Sequence, residues 1–310
     1  MISPEKSSRF APLILMVGIL AVSTAAIFIR NAQQEAPSLV IAAYRLGLAS
    51  LILLPFSMNR AHQDFKHLTP LERGHIFLAG IFLAIHFAVW IFSLELTSVA
   101  SSVVLVTTTP LWVAIFSPLF LKERMKKEVW WGLGLAIVGG VIVAASEMCH
   151  WEGEGLSCVE LRSFFMGKSL MGNLLALVGA WMAAGYLLVG RKVRPRVSLS
   201  SYTFLVYSSA AVILVMLAVL SGYSLSGYSV PVMGWFLLLA VVPQLIGHSS
   251  FNWALRYLPA TFVSLALLGE PVGATLLAML FLKEMPLLNE VIGGGMILGG
   301  IYLASRANRE

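Results

Sequence analysis

The sequence has very little charge for its length. Of 310 residues only 12% are charged, whereas 58% are hydrophobic and the mean hydropathy is +0.86. A soluble globular protein carries about 25% charged residues, so this chain lacks the polar residues to cover its core with a water-facing surface. The composition therefore predicts a protein that lies in lipid. Its net charge of +6 is explained by membrane topology and requires no nucleic-acid partner.

Residues that carry catalytic chemistry are also scarce. Asp64 is the only aspartate, and no HExxH, GxSxG or P-loop pattern occurs. The two cysteines, Cys149 and Cys158, lack the spacing and the histidine pair of a zinc site. We therefore predict no enzyme activity, no cofactor and no metal. A membrane-embedded enzyme or a channel, in either case without carrier activity, remains the alternative.

Ten apolar stretches are each long enough to cross a bilayer, which takes about 20 helical residues. The first follows Lys6 and Arg9 as a signal peptide would, but it is too long for one and no small-residue cleavage site follows. The sequence thus predicts an all-α polytopic membrane protein of ten transmembrane helices. These lie near residues 11–29, 38–57, 74–94, 99–121, 129–146, 169–190, 200–221, 232–253, 260–282 and 288–305.

The distribution of basic residues predicts the orientation. With a cytoplasmic N-terminus, 16 of the 21 Lys and Arg residues fall in inside segments. Four fall outside, at Arg30, Arg162, Lys168 and Lys283. An excess of Lys and Arg marks the cytoplasmic side. Both termini are therefore predicted to be cytoplasmic.

The longest predicted outside segment, 147–168, contains both cysteines. In an oxidising compartment Cys149 and Cys158 are able to form a disulfide that staples this loop. Two free thiols are the other interpretation, and the sequence leaves both open.

The chain contains an internal repeat. The pentapeptide LFLKE occupies 119–123 and 280–284, and the same offset of 161 residues matches Pro110 with Pro271. This offset spans five predicted helices. Because five is odd, the second copy is inverted in the membrane relative to the first, an arrangement typical of secondary transporters with a site at the midplane. We therefore predict two inverted five-helix repeats, 1–146 and 169–310, joined by the loop 147–168.

Glycines cluster on the fifth and tenth predicted helices, within 132–140 and 293–300. Small residues let helices approach closely in lipid. The clusters therefore indicate either a packing face or a homodimer interface. They do not follow a strand, as a nucleotide-binding loop would.

Several short motifs are distributed over the whole chain. They are Tyr44-Arg45-Leu46, residues 93–100, Thr109-Pro110-Leu111-Trp112 and Gly269-Glu270-Pro271-Val272. Together they resemble the EamA-domain exporters, ten-span carriers of the drug/metabolite transporter superfamily. The pair Val22-Ser23 departs from the Trp-Gly-Ser often found in the first span. The resemblance implies a location in the inner membrane of a bacterium. It also implies export of amino acids, related metabolites or drug-like compounds through a central cavity.

Arg45 and Glu270 are charged residues well inside predicted spans, where lipid leaves a charge without partners. Glu270 precedes Pro271, and proline disturbs the helix at this point. Its carboxylate is suited either to bind a cation or carry a proton, or to pair with a neighbouring helix. Arg45 is interpreted as a structural intramembrane charge, because the resemblance implies an arginine here whatever the solute.

Other polar and aromatic residues complete the predicted lining of the solute cavity. His86 and Trp90 lie one helical turn apart, as do His248 and Asn252 on another span, so each pair shares a face. With Glu270, the full set of predicted cavity residues is Ser23, Thr24, His86, Trp90, Trp112, Trp181, Tyr186, Gln244, His248 and Asn252.

The orientation is testable with the natural cysteines. A membrane-impermeant maleimide added to intact cells after mild reduction is expected to label Cys149 or Cys158, because the segment 147–168 is predicted to lie outside. Labelling that occurs only after permeabilisation would reverse the predicted topology.

Overall fold

Helices make up most of the structure, a computed structural model that describes residues 4–121, 127–145, 149–152, 155–158, 167–258 and 260–307. The helices are α1 (Pro4–Ser23), α2 (Ala25–Ala32), α3 (Ser38–His67), α4 (Pro70–Leu96), α5 (Val99–Val106), α6 (Thr109–Leu121), α7 (Lys127–Ala145), α8 (Lys168–Val193), α9 (Leu199–Leu220), α10 (Val230–Leu239), α11 (Ser249–Ala254), α12 (Ala260–Ala266), α13 (Gly269–Leu277) and α14 (Leu288–Ala307). A first π-helical segment, Ala240–His248, continues α10, and a second, Ala278–Leu282, continues α13.

Side-chain caps fix where several helices begin. Thr69 and Glu72 form a capping box ahead of α4, with Pro70 at its first turn. Ser98 accepts from Ser101 N at the start of α5. Such caps satisfy amide groups that have no partner within the helix. The chain can therefore reverse direction between α3 and α4, and between α4 and α5, within a few residues.

A two-stranded antiparallel sheet lies between α7 and α8. It pairs β1 (Cys149–Glu152) with β2 (Gly155–Cys158), and its register places Cys149 opposite Cys158. Opposed residues in such a pair have Cα atoms about 4.5–5.5 Å apart, which is within the range that a disulfide requires. The cysteine side chains lie outside the described residues, so the disulfide remains a prediction.

The helix formed by α5 and α6 is broken at a proline. Pro110 has no N–H to donate to the carbonyl of Val106, and α5 ends at Val106. That carbonyl instead accepts from the Thr109 hydroxyl at 2.9 Å. The break therefore places Thr109 at the first position of α6.

A matching break separates α12 from α13. Pro271 leaves the carbonyl of Leu267 without its usual donor, and the Glu270 N–H occupies it at 3.0 Å. Glu270 thereby lies at the beginning of α13, as Thr109 does at the beginning of α6. The kink that the sequence predicts at Pro271 is present.

Seven helical stretches of the described residues are long and apolar enough to cross a membrane. They are Leu13–Ala32, Ser38–His67, Pro70–Leu96, Val99–Phe120, Lys168–Val193, Leu199–Leu220 and Val230–Ala254. Two shorter apolar helices, Trp130–Val143 and Gly269–Leu282, accompany them. These helices fit a polytopic membrane protein, whereas the predicted number of ten spans remains a prediction.

The two parts of the chain are interleaved. The three most extensive helix pairings are α7 with α14, α4 with α8 and α3 with α9, and each joins residues before 146 to residues after 167. Helix α1 likewise packs against the first π segment and α13. Neither part therefore forms a separate lobe.

Glycines account for the close packing of α7 on α14. A Cβ added to Gly139 would lie 2.5 Å from Gly293 O, and one added to Gly300 would collide with Gly132 O. The predicted packing face is thus used within one chain. The homodimer remains a prediction.

Replacement of Gly139 by alanine is expected to lower the thermal unfolding temperature in detergent. The added methyl group has to push two backbones apart, and overpacking of this kind costs about 1–3 kcal/mol. Gly134→Ala is the matched control, because a Cβ at Gly134 meets no atom within 4 Å. Equal unfolding temperatures for the two variants would contradict the packing described for α7 and α14.

Candidate functional site

An internal cavity lies where the two broken helices meet α1, α3, α4, α8 and the first π segment. Its volume is about 40 Å³, which holds a few water molecules but no organic solute. Both parts of the chain contribute to it. Its polar and aromatic lining residues are Arg45, His86, Trp90, Thr107, Thr109, His248 and Glu270.

Arg45 on α3 is completely buried. Its Nε donates to Gln244 Oε1 at 2.8 Å, and its guanidinium carbon lies 4.0 Å from the centroid of the Phe87 ring. Its Nη1 and Nη2 have no hydrogen-bond partner among the described residues. One edge of the guanidinium is therefore fixed, while the two terminal nitrogens remain unpaired.

The neighbouring helix α4 contributes His86 and Trp90. Their rings stack with centroids 5.9 Å apart, and His86 Nδ1 donates to Gly179 O at 2.9 Å. Because a carbonyl only accepts, this bond places a proton on Nδ1. Trp90 is 3% exposed and its Nε1 has no partner among the described residues. The predicted pairing of these residues on one face is present.

Glu270 provides the carboxylate of the cavity. It is 9% exposed and lines the same cavity as Arg45, whose Nη1 and Nη2 donate no hydrogen bond to it. His248, at the end of the first π segment, lies 5.2 Å from the Phe87 ring and 6.4 Å from His86, measured between centroids. Both predicted residues therefore lie at the cavity.

Three other predicted residues form a buried network beside the cavity. The Tyr186 hydroxyl donates to Asn252 Oδ1 at 2.7 Å, and Asn252 Nδ2 donates to the Tyr207 hydroxyl at 3.3 Å. Gln244 accepts from Arg45, as described above. These groups join α8, α9, α11 and the π segment, and none of the three lines the cavity.

The remaining predicted residues lie elsewhere. The hydroxyls of Ser23 and Thr24 donate to Ile19 O and Ala21 O within their own helix. Trp112 and Trp181 contact each other edge to face at 5.0 Å, and Trp181 is 41% exposed. This structure does not bring these four residues into the lining of the cavity.

One end of the bundle is closed by polar contacts that the sequence did not single out. Arg30 Nη2 lies 3.1 Å from Glu284 Oε1 and donates to Thr97 O at 3.0 Å. Glu290 accepts from Ser101 Oγ at 2.7 Å. These contacts join α2, α5, α14 and the end of the second π segment. The charge distribution predicts that this end faces outside.

A wider cavity of about 780 Å³ opens beside that closure. Its lining includes Arg30, Gln33, Glu95 and Tyr223, and it shares no lining residue with the internal cavity. At the opposite end, Arg196 pairs with Glu72 at 2.5 Å. Because the two cavities share no lining residue, the internal cavity is separate from the solute-sized cavity at the predicted outer end.

Apolar helices of membrane-spanning length around a buried polar cavity define a polytopic membrane protein of the transporter class. The model of the EamA-like transporter family matches residues 9–145 and again residues 170–306. The chain belongs to this family. The match confirms the resemblance seen in the motifs and indicates a transporter rather than an enzyme.

Relatives that cover nearly the whole chain carry transporter names. An uncharacterized transporter of Archaeoglobus fulgidus is 21% identical over 96% of this chain and 98% of its own length. A protein of Pseudomonas aeruginosa named pseudopaline exporter CntI is 22% identical over 91% and 90%, respectively. A solved crystal structure matches with a TM-score of 0.66 at 18% identity, over 96% of this chain and 98% of the other. This last likeness shows a shared fold.

The sequence contains a feature that indicates the closure at the predicted outer end, namely the charged end of the repeated pentapeptide. In the sequence, Arg30 is one of the few basic residues of the predicted outside segments, and nothing beside it indicates a partner. Glu284 is the last residue of the repeated pentapeptide, which served only to define the repeat. A charge retained in a short repeated motif is a signal that the motif has a partner, and that signal would have pointed to Glu284.

Loss of the Arg30–Glu284 pair is expected to open the predicted outer end. We place a reporter thiol in the cavity lining by Ala183→Cys, after Cys149→Ser and Cys158→Ser. Adding Glu284→Gln is expected to raise the rate of labelling by an impermeant maleimide from the outer side about 2- to 5-fold, the range that a part-exposed ion pair of up to about 1 kcal/mol supports.

The matched control is Glu35→Gln, since Glu35 lies at the same end and accepts from Ser229 instead of Arg30. Equal labelling rates in the Glu284→Gln and Glu35→Gln proteins would mean that the ion pair does not limit access to the cavity.

Proposed function

We propose that this chain is a secondary transporter that exports small organic solutes across the cytoplasmic membrane by alternating access. The observation that carries the proposal is the small internal cavity, whose polar lining comes from both parts of the chain. A continuous pore would be open at both ends, whereas a carrier has to enclose its solute between two closures. Amino acids, related metabolites and drug-like compounds are the proposed solutes.

The proposed architecture is ten spans in two inverted five-helix repeats. The pattern of contacts supports this architecture. If each span of the first repeat is exchanged with the corresponding span of the second, every main helix contact becomes another observed contact or stays the same. The third proposed span packs on the sixth, as α4 on α8, and the eighth packs on the first, as the first π segment on α1. The fifth packs on the tenth and the second on the seventh, pairings that the exchange leaves unchanged.

The matched helix breaks are the proposed moving parts. Both lie at the cavity, and the helices on either side of each break are joined by only a few residues without regular helical bonds. Rotation at Thr107 and Leu268 would change the cavity volume without breaking the packing of α7 on α14. We propose that the solute enters and leaves as these breaks adjust.

The direction of transport and the orientation complete the proposal. Both termini are proposed to be cytoplasmic, in the inner membrane of a bacterium, from the excess of basic residues in the predicted inside segments. Export is supported by the Pseudomonas aeruginosa relative, which is named as an exporter. Of the predicted cavity residues, we propose His86, Trp90, His248 and Glu270 as solute contacts.

Flux in proteoliposomes tests the carrier and its coupling. Vesicles loaded with labelled amino acids or other small metabolites are expected to show saturable, protein-dependent release. We expect a pH gradient to accelerate this release and Glu270→Gln to remove the acceleration, because Glu270 is the carboxylate of the cavity. Glu35→Gln, which alters a carboxylate far from the cavity, should keep it.

The outcomes separate the alternatives. Release that ignores the pH gradient and survives Glu270→Gln would identify facilitated transport and remove the proton-carrying role from Glu270. Folded protein that moves no solute in any arm would contradict the carrier itself, in favour of the channel or enzyme alternative.

A further inference from the structure

The internal cavity has buried donors without acceptors. Arg45 is 0% exposed and Trp90 is 3% exposed, yet Arg45 Nη1, Arg45 Nη2 and Trp90 Nε1 have no hydrogen-bond partner among the described residues. Burial of such groups without partners is costly, and most costly for a charged group. These three nitrogens belong to two residues that line one cavity, so the cavity lacks an acceptor that a solute can supply.

A carboxylate fits this set of donors. Its two oxygens offer about four acceptor positions, and the terminal nitrogens of an arginine bind both oxygens at once. The contacts of Arg45 with Gln244 and Phe87 leave those nitrogens free and hold the guanidinium in place. A phosphate dianion is a poorer fit, because the carboxylate of Glu270 lies at the cavity and repels two negative charges more strongly than the single charge of a carboxylate.

The charge balance indicates what else the solute carries. Arg45 and Glu270 line the same cavity, where their opposite charges attract each other, and neither Nη of the guanidinium donates a hydrogen bond to Glu270. A carboxylate that binds Arg45 takes over as its counter-charge and leaves Glu270 without a cation. A solute that brings its own ammonium group restores a partner to Glu270, so the occupied cavity is neutral again.

We propose that Arg45 and Trp90 bind the carboxylate of a zwitterionic amino compound and that Glu270 accepts its ammonium group. This rests on the proposed carrier function and gives Arg45 a binding role in addition to the structural one expected from the sequence. The cavity volume of about 40 Å³ means that the bound state is wider than the present one.

Competition between matched solutes tests the carboxylate site. Proteoliposomes are screened with the labelled standard amino acids, and the amino acid that moves fastest is challenged with its unlabelled self or its primary amide. The amide has nearly the same shape but no negative charge. We expect it to compete about tenfold more weakly, or worse, as the loss of a charged hydrogen-bonding group predicts.

The variant that isolates the indole N–H is Trp90→Phe, which retains a ring beside His86. It is expected to reduce the preference for the acid over the amide several-fold. Trp131→Phe makes the same chemical change at an exposed position on α7 and should leave the preference unchanged. Arg45→Gln is expected to abolish the preference, and Trp90→Phe keeps the test valid if Arg45→Gln does not fold.

Failure of the inference and failure of the carrier are distinguishable. The inference is overturned if the amide competes as well as the acid, if Trp90→Phe weakens both equally, or if only solutes without a carboxylate move. The absence of flux for every solute, with folded protein, would instead overturn the proposed function on which it rests.

Discussion

A guanidinium buried among helices has no water to bind, so the protein itself has to hold it. In this chain Arg45 of α3 is held by Gln244 of the first π segment and by the ring of Phe87 on α4. This interaction joins the two parts of the chain at the cavity. Pro243 lies directly before Gln244 in the π-helical segment, and such local distortions often occur at functional sites. The position of the cavity depends on this contact.

The sequence predicted the residues whose position follows from local geometry. His86 and Trp90 share a face because they are one turn apart, and Glu270 lies at a kink because a proline follows it. Trp112 and Trp181 could not be predicted in the same way, because an aromatic pair packs against itself as readily as it lines a cavity. The partners of Tyr186 and Asn252 come from different helices. No spacing within one helix reveals them.

Arg45 shows why sequence reasoning stops short of function at a buried charge. The resemblance suggested a structural role, and the bonded Nε of Arg45 agrees with one. Only the three-dimensional structure separates the bonded edge of the guanidinium from its two unpaired nitrogens. One side chain is thereby able both to hold the helices together and to present donors to the cavity. The structural role and the binding role of Arg45 therefore do not exclude each other.

The cavity is built asymmetrically from two similar halves. At the offset of 161 residues, Glu270 corresponds to Thr109 and Arg45 to Val206, and the π segment around Pro243 has no counterpart in the regular helix α4. Two identical inverted halves would make the inward-open and outward-open forms equivalent by a two-fold rotation about an axis in the membrane plane, and therefore equal in energy. In this chain Arg45 and Glu270 have uncharged counterparts, so the two forms would differ in energy. In the proposed alternating-access cycle, the protein without solute therefore has a preferred resting direction that is set by its own sequence, before any gradient is applied.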